Sequence, residues 1–253
     1  MLTFTEAQIL EWISPLLWPF IRMLALFGSM PVLAQRSVPA RVRVALAFLI
    51  ALCAQASLPA MPVVPLDSAP AMMMLAQQVL IGVSMGFAAR IVFAAIELAG
   101  ELVGLQMGLN FSGFFDPSTG GQTTAMSRFF GTTISWLFIV VNGHLLIIAA
   151  LVQSFQAFPV SAEPFSFIRA VQPQVWGAEI FSLGLWIALP IVAMLLFTNI
   201  VLGIISRVAQ QMNVFAIGFP ITVSVGLLGA LLTLPLMQAP FTMALEKMLA
   251  NFQ

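Results

Sequence analysis

The sequence predicts an all-α integral membrane protein with about six hydrophobic, proline-kinked helices arranged as hairpins. Of its 253 residues, 61% are hydrophobic and only 7% are charged, whereas a soluble domain has about 25% charged residues. The charges leave five gaps of 22 to 38 residues, including 129–162 and 208–245. Each gap exceeds the roughly 18 apolar residues that mark a candidate spanning helix. No stretch is left that is long enough for a soluble domain.

Prolines, charges and polar loops divide the chain into six predicted helices. They cover about 12–34, 44–58, a segment from about 71 to beyond Arg90, 129–159, 179–206 and 214–234. Pro15 and Pro19 predict a kink in the first helix, and Arg22 within it needs a polar partner. The third helix is so long, about 40 Å for residues 82–108 alone, that we expect a break or a strong tilt.

Basic residues in alternate connections give an orientation. Those predicted on one side are Arg36, Arg41, Arg43, Arg128 and Arg207, and those on the other are Arg169 and Lys247. The positive-inside rule then places the first set in the cytoplasm and both termini outside. A charge in the apolar interior costs about 2.5 to 3.5 kcal/mol, so we expect the charges inside the helices to be buried in protein or water.

One face of the third helix combines glycine with charge. Advancing about 100° per residue from Glu97, the following residues all fall within about 60° of it and form a stripe: Gly82, Gly86, Arg90, Phe93, Gly100, Glu101, Gly104 and Gly108. Glycines at this spacing let another backbone approach closely. Three interpretations remain open: a packing stripe whose charges are satisfied by neighbouring helices, a proton or ion path, and the aqueous wall of a channel.

A glycine-rich but apolar loop follows this helix at residues 109–121. Its candidate gate residues are Leu109, Asn110, Phe111, Ser112, Gly113, Phe114, Phe115, Asp116 and Pro117. Proline and glycine favour a non-helical path, and such backbone survives at membrane depth only where protein or a water cavity satisfies it. The loop is either an interfacial loop among lipid headgroups or a re-entrant gate that closes a hole by apolar packing.

Composition excludes several other classes. One cysteine, Cys53, and one histidine, His144, allow neither an internal disulfide nor a Cys/His metal cluster. Nine basic and nine acidic residues give no cationic tract for nucleic acid or for anionic lipid surfaces. We find no catalytic constellation and no Walker-type loop, so the sequence predicts neither an enzyme nor a cofactor. Asn142, Gly143 and His144 form a polar notch in the fourth helix, which is either an interhelical hydrogen-bond site or a titrating one.

Four runs of sequence resemble the FliR family of flagellar biosynthetic proteins. They lie at 36–52, 97–130, 142–155 and 207–220, and the two most specific motifs in them are GLQMGLNFSGFFDP and QQMNVFAIGFP. The resemblance extends over nearly the whole chain in order, length and helix placement.

The resemblance implies a core subunit of the flagellar type III protein export gate, in the bacterial inner membrane at the flagellar basal body. A single copy would assemble laterally with several homologous FliP-like and FliQ-like subunits, beside other membrane proteins of the export apparatus. Together they would form a closed, gateable channel for unfolded flagellar proteins. Residues 1–176 would be comparable to FliP and include the loop 109–121, and residues 177–253 would be comparable to the FliQ helical hairpin.

In this interpretation the loop 109–117 is the plug of the closed channel. Phe111, Phe114 and Phe115 would exclude water and ions, and the glycines of the stripe would contact partner subunits. The charges on the stripe would be satisfied between subunits. Two alternatives remain: a secondary transporter with a midplane charged site, and a structural scaffold without a gate. We see no internal repeat, and the phenylalanine-rich loop offers little to hold a polar substrate, which counts against the transporter.

Overall fold

The computed structural model describes residues 6–109, 123–172, 176–209 and 214–252. Within these ranges the chain forms helices and no strand. The helices are α1 Glu6–Ser29, α2 Ala40–Ala54, α3 Ala69–Gln106, α4 Ala125–Val140, α5 Gly143–Ala157, α6 Ser166–Val171, α7 Gly177–Val208, α8 Val214–Thr233 and α9 Gln238–Leu249. Short 3-10 turns cover Gln55–Ser57, Leu234–Met237 and Ala250–Phe252. The all-α class predicted from the sequence is confirmed.

The observed helices differ from the predicted ones in several places, and α6 and α9 lie outside every predicted helix. α3 runs unbroken for 38 residues, or about 57 Å. Of the two alternatives predicted for it, the break is wrong and the strong tilt stays a prediction. The predicted fourth helix is two helices, because Asn142 has a φ of 57° and precedes α5. Asparagine is among the few residues that adopt the left-handed conformation readily, and a single such residue interrupts the helical hydrogen bonds.

The chain divides into two compact units. The first comprises residues 1–90, 142–176 and 245–253, and the second comprises residues 91–141 and 177–244. α3 contributes its first part to the first unit and its second part to the second.

A fully buried arginine organises the first unit. The guanidinium of Arg22 on α1 donates to Oε1 of Gln78 at 2.7 Å, to Oγ of Ser154 at 2.9 Å and to the carbonyl oxygen of Phe158 at 2.9 Å. It also lies 3.6 Å from the centroid of the Phe155 ring, at cation–π distance. The polar partner predicted for Arg22 is therefore present, and it is supplied by α3 and by the end of α5.

Aromatic rings fill the core of the second unit. Phe93 on α3 packs edge to face against Phe138 on α4 and Phe241 on α9, with ring centroids 5.6 and 5.8 Å apart. α7 and α8 form a close hairpin, in which a Cβ at Gly229 would lie 2.5 Å from Cε of Met194 and 3.2 Å from Cγ2 of Ile191. Glycine at this position lets the two helices approach each other.

Five of the described helical stretches are long and apolar enough to cross a membrane. A sixth is added if the bent pair formed by α4 and α5 counts as one span. Only 11% of the apolar window that begins with α2 and 28% of that in α7 are buried in the chain. Large apolar side chains such as Phe181, Phe197 and Val208 are exposed on α7. Surfaces of this kind need lipid or protein around them.

Candidate functional site

Only the first residue of the predicted gate loop lies within the part of the chain that the structure describes. Leu109 is described and lies in the turn that follows α3. The predicted gate residues that lie outside the described residues are Asn110, Phe111, Ser112, Gly113, Phe114, Phe115, Asp116 and Pro117. The geometry of the site is therefore that of the helix ends on either side of segment 110–122.

Gly108 ends α3 just before this segment. It has a φ of 79°, which costs glycine little and other L-residues much more. The amide of Leu109 donates to the carbonyl oxygen of Gly104 at 3.0 Å, and that of Gly108 to Leu105 at 3.0 Å. These are the two hydrogen bonds of a Schellman motif. Gly108, which the sequence analysis assigned to the packing stripe, therefore terminates the helix and sets the direction in which the chain leaves it.

Thr124 lies at the start of α4, the helix that follows segment 110–122. It is the N-cap of α4, and its Oγ1 accepts a hydrogen bond from the amide of Ser127 at 3.1 Å. A threonine cap of this kind contributes about 0.5 to 2 kcal/mol to helix stability. The start of α4 is thus fixed within two residues of the end of segment 110–122.

Glu101 on α3 joins the two flanks. Its Oε2 accepts hydrogen bonds from the backbone amide of Thr124 at 3.1 Å and from Oγ1 of Thr124 at 2.9 Å. A carboxylate at a helix N-terminus also interacts favourably with the helix dipole, by about 0.3 to 1 kcal/mol. Glu101 therefore has a hydrogen-bond partner on a neighbouring helix of its own chain, as the packing-stripe interpretation predicts.

The glycines of the stripe near Glu101 let α4 lie directly against α3. A Cβ at Gly104 would be 2.8 Å from Oγ1 of Thr124, and one at Gly100 would be 2.8 Å from the carbonyl oxygen of Met126. Ser127 adds a hydrogen bond from its Oγ to the carbonyl oxygen of Glu97 at 2.9 Å. A side chain at either glycine would therefore push the start of α4 away from α3.

The glycines nearer the start of α3 face α1. A Cβ at Gly82 would collide with the carbonyl oxygen of Arg22 and would lie 2.8 Å from Cβ of Ala25. A Cβ at Gly86 would collide with Oγ of Ser29. Four glycines of the stripe thus contact helices of the same chain, as the packing-stripe interpretation predicts. Their contact with partner subunits stays a prediction.

The other residues of the stripe differ in how far their side chains are buried. Phe93 is buried in the aromatic core, whereas Arg90 and Glu97 are exposed on the surface of the chain. The Glu97 carboxylate lies over α4, with Oε1 3.1 Å from where a Cβ at Gly131 would be. Exposed charges on such an apolar helix require water or protein beside them.

α8 supports the end of α3 from a further side. Oγ1 of Thr222 lies 3.3 Å from the carbonyl oxygen of Met107 and 3.0 Å from that of Phe219 in its own helix, so its single proton is shared between these two acceptors. The side chain of Met107 rests on Gly226, where any Cβ would collide with it. Thr124, Thr222 and Gly226 were not predicted from the sequence, since only the fold brings them to the end of α3.

No metal site is found at these helix ends or elsewhere in the described ranges, which contain no cluster of three His, Cys, Asp or Glu residues able to bind an ion.

Comparison with known proteins gives the family. Residues 13–248 match "Bacterial export proteins, family 1". The chain belongs to this family. It is 42% identical over 236 residues to the flagellar biosynthetic protein FliR of Pectobacterium carotovorum subsp. carotovorum, covering 93% of this chain and 90% of the relative. It is 40% identical over 241 residues to FliR of Escherichia coli (strain K12), covering 95% and 92%.

A more distant relative is also a flagellar biosynthetic protein FliR. FliR of Bacillus subtilis (strain 168) is 30% identical over 225 residues, which is 86% of this chain and 85% of the relative. The resemblance to the FliR family predicted from the sequence motifs is thereby confirmed. Membership of this bacterial export family, together with helices able to span a bilayer, gives the protein a membrane location.

Proposed function

We propose that this protein is a core subunit of the flagellar type III protein export gate. With FliP-like and FliQ-like subunits it forms a closed, gateable channel for unfolded flagellar proteins, in the bacterial inner membrane at the flagellar basal body. Family membership and the names of its FliR relatives support a place in the flagellar export machinery. The function is passive gating and assigns no catalytic residue and no cofactor to this chain.

One observation carries the gating part of the proposal. Both ends of segment 110–122 are anchored to α3, by the terminal turn at Gly108 and by the hydrogen bonds between Glu101 and Thr124. A segment whose ends are fixed can fill an opening without being carried away by the passing chain. Its phenylalanines, Phe111, Phe114 and Phe115, supply the apolar surface that excludes water and ions from a narrow constriction.

The exposed apolar faces support assembly with other subunits. α2 and α7 leave most of their apolar surface uncovered within the chain, and Arg90 lies exposed on α3. In the proposed assembly, FliP-like and FliQ-like subunits cover part of these faces and place a counter-charge beside Arg90. The division into a FliP-like part at 1–176 and a FliQ-like hairpin at 177–253 belongs to this proposal.

Native mass spectrometry tests the assembly. The tagged chain is purified in mild detergent with and without co-expressed FliP-like and FliQ-like proteins. We expect a large discrete complex that contains one copy of this chain. A monomer or a homodimer that binds neither partner would contradict the proposal and favour a secondary transporter.

A further inference from the structure

We propose that the groove between α1 and α2 binds one anionic phospholipid, with the lipid phosphate at Arg41 and an acyl chain along the groove. Such binding is separate from gating and needs no partner subunit. It involves a single lipid molecule, since nine basic and nine acidic residues give the whole chain no net positive charge for adsorption to an anionic membrane surface.

The groove is large enough for part of a lipid. Its volume is about 480 Å³, within the range of about 300 to 1,000 Å³ that is usual for ligand sites. It lies wholly within the first compact unit. Of the described residues that line it, all but Arg41 are apolar. The lining residues are Phe20 on α1 and Ala40, Arg41, Val44, Ala45 and Phe48 on α2.

The charge and the aromatic rings of the groove lie at opposite ends of it. Arg41 is in the first turn of α2, and Phe48 is seven residues further along the same helix, a distance of about 10 Å. The ring of Phe48 packs edge to face on that of Phe20, with the centroids 6.3 Å apart. An elongated molecule with an anionic head and a hydrocarbon tail matches this order of charged and apolar groups.

Arg41 is available to an anion. It is exposed, and no hydrogen bond or ion pair joins it to another of the described residues. The sequence from 12 to 66 contains no Asp or Glu. A guanidinium presents a planar fork of donors that matches the geometry of a phosphate. Arg36 and Arg43 add positive charge within five residues of Arg41, which favours an anionic lipid over a zwitterionic one.

The groove also lies where a lipid headgroup is expected. Arg41 is at the start of a helix that is apolar enough to span a membrane, and only 11% of the apolar window that begins with α2 is buried within the chain. Basic side chains near the ends of spanning helices extend to headgroup depth. Basic pockets between spanning helices on the cytoplasmic side bind anionic headgroups, and the orientation predicted from the sequence places Arg41 on that side.

Native mass spectrometry of the full chain in mild detergent tests the site. The chain is titrated with phosphatidylglycerol and, separately, with phosphatidylcholine of the same acyl chains, whose headgroup has no net charge. We expect one phosphatidylglycerol to bind, with an affinity about fivefold to tenfold higher than that of phosphatidylcholine. Equal affinities of the two lipids would overturn the proposal.

Two variants assign the binding to the groove. Arg41→Gln removes the charge and should lower the affinity for phosphatidylglycerol about fivefold to tenfold. Ala45→Phe adds a ring to an exposed lining position and should weaken the binding of both lipids. Arg207→Gln is the matched control, because it removes an exposed positive charge outside the groove and should leave the affinity unchanged. Equal losses in Arg41→Gln and Arg207→Gln would overturn the site.

Glycerol 3-phosphate separates a lipid site from a site for a free phosphate. It has the phosphate of the headgroup without the acyl chains, so we expect it not to displace phosphatidylglycerol when the two are present at equal concentration. Displacement under these conditions would show that the groove contributes nothing to the binding and would overturn the proposal.

A photoreactive lipid locates the binding without any substitution. Phosphatidylglycerol with a photoreactive group on one acyl chain is irradiated with the unmodified chain in detergent, and the labelled peptides are identified by mass spectrometry. Labels should concentrate near Phe20 and Phe48. α7 is the internal control, because its Phe181 and Phe197 are also exposed. Equal labelling of α2 and α7 would show a lipid that coats every exposed apolar helix and would overturn the site.

The assembled complex distinguishes a lipid from a neighbouring protein. We expect phosphatidylglycerol to remain bound when FliP-like and FliQ-like subunits are co-expressed, and Arg41→Gln to leave the recovery of the complex unchanged. Loss of the lipid on assembly, or reduced recovery with Arg41→Gln, would show that a protein surface occupies the groove and would overturn the proposal. The experiments on the isolated chain stand even if no complex forms, so the lipid site and the proposed function fail separately.

Discussion

Nε of Arg22 donates to Oε1 of Gln78 at 2.7 Å, which joins α1 to α3 inside the first unit. Gln78 in turn donates from Nε2 to Oε1 of Gln77 at 2.8 Å, and Gln77 donates to Oγ of Ser161 at 2.8 Å. These hydrogen bonds link the guanidinium of Arg22 to Ser161, in the connection that follows α5. The buried charge of Arg22 is thus stabilised by hydrogen bonds to neutral acceptors and by the face of an aromatic ring.

Replacing Arg22 should therefore destabilise the chain. Arg22→Met removes the donors to Gln78, Ser154 and Phe158 and leaves buried acceptors unpaired, at a cost of about 1 to 3 kcal/mol for each group that water cannot reach. Arg22→Lys should also be destabilised, since an ammonium group cannot reproduce the planar fork. Thermal unfolding of the purified chain in detergent measures this, with the exposed Arg41 changed to Met as the control. Equal unfolding temperatures for Arg22→Met and Arg41→Met would contradict the structural role.

Gly82→Ala tests the contact between α1 and α3. The added methyl group would collide with the carbonyl oxygen of Arg22, and backbone cannot move aside as a flexible side chain can, so we expect a loss of about 1 to 3 kcal/mol. Gly28→Ala, on α1, is the control because nothing lies within 4 Å of its added Cβ. Alanine should favour the helix there by about 0.5 to 1 kcal/mol. We expect the unfolding temperature to fall in Gly82→Ala and to rise in Gly28→Ala. Equal shifts in the two variants would show that the helices do not pack at Gly82.

Arg90→Ala tests the proposed contact of the exposed charges with other subunits. Because Arg90 is exposed in the chain, its loss should leave the thermal unfolding of the isolated chain within about 0.5 kcal/mol of the original. It should nevertheless reduce the fraction of chain recovered in the complex, because a counter-charge in the partner would be left unpaired. Unchanged recovery in native mass spectrometry would place Arg90 beside water instead.

The sequence predicted the features that depend on composition and helical spacing. Charge gaps located the apolar helices, and the cost of a charge among apolar residues predicted a polar partner for Arg22. The role of Gly108 was not predictable, because a glycine at the right spacing fits a packing stripe equally well until the end of the helix is known. Asn142 is similar, since its left-handed conformation is one of several that asparagine adopts.

Glu101 and Thr124 mark a second limit of sequence reasoning. They are 23 residues apart, and their contact requires α4 to lie back along α3, which no local pattern encodes. The stripe correctly indicated close helix packing at Gly100 and Gly104 but gave no information on whether the neighbour belongs to the same chain. Only the fold separates these cases, because glycine allows close approach to any backbone.

The most direct test of the account is the resting ion conductance of the assembled complex with Phe114→Ala and Phe115→Ala. The complex is reconstituted into planar bilayers beside the unmodified one, after native mass spectrometry has shown equal composition. The account predicts a closed unmodified complex and a leak in the variant, because the removed rings no longer exclude water and ions from the lumen. Equal conductance of the two complexes would contradict the gate and favour a scaffold without a gating role.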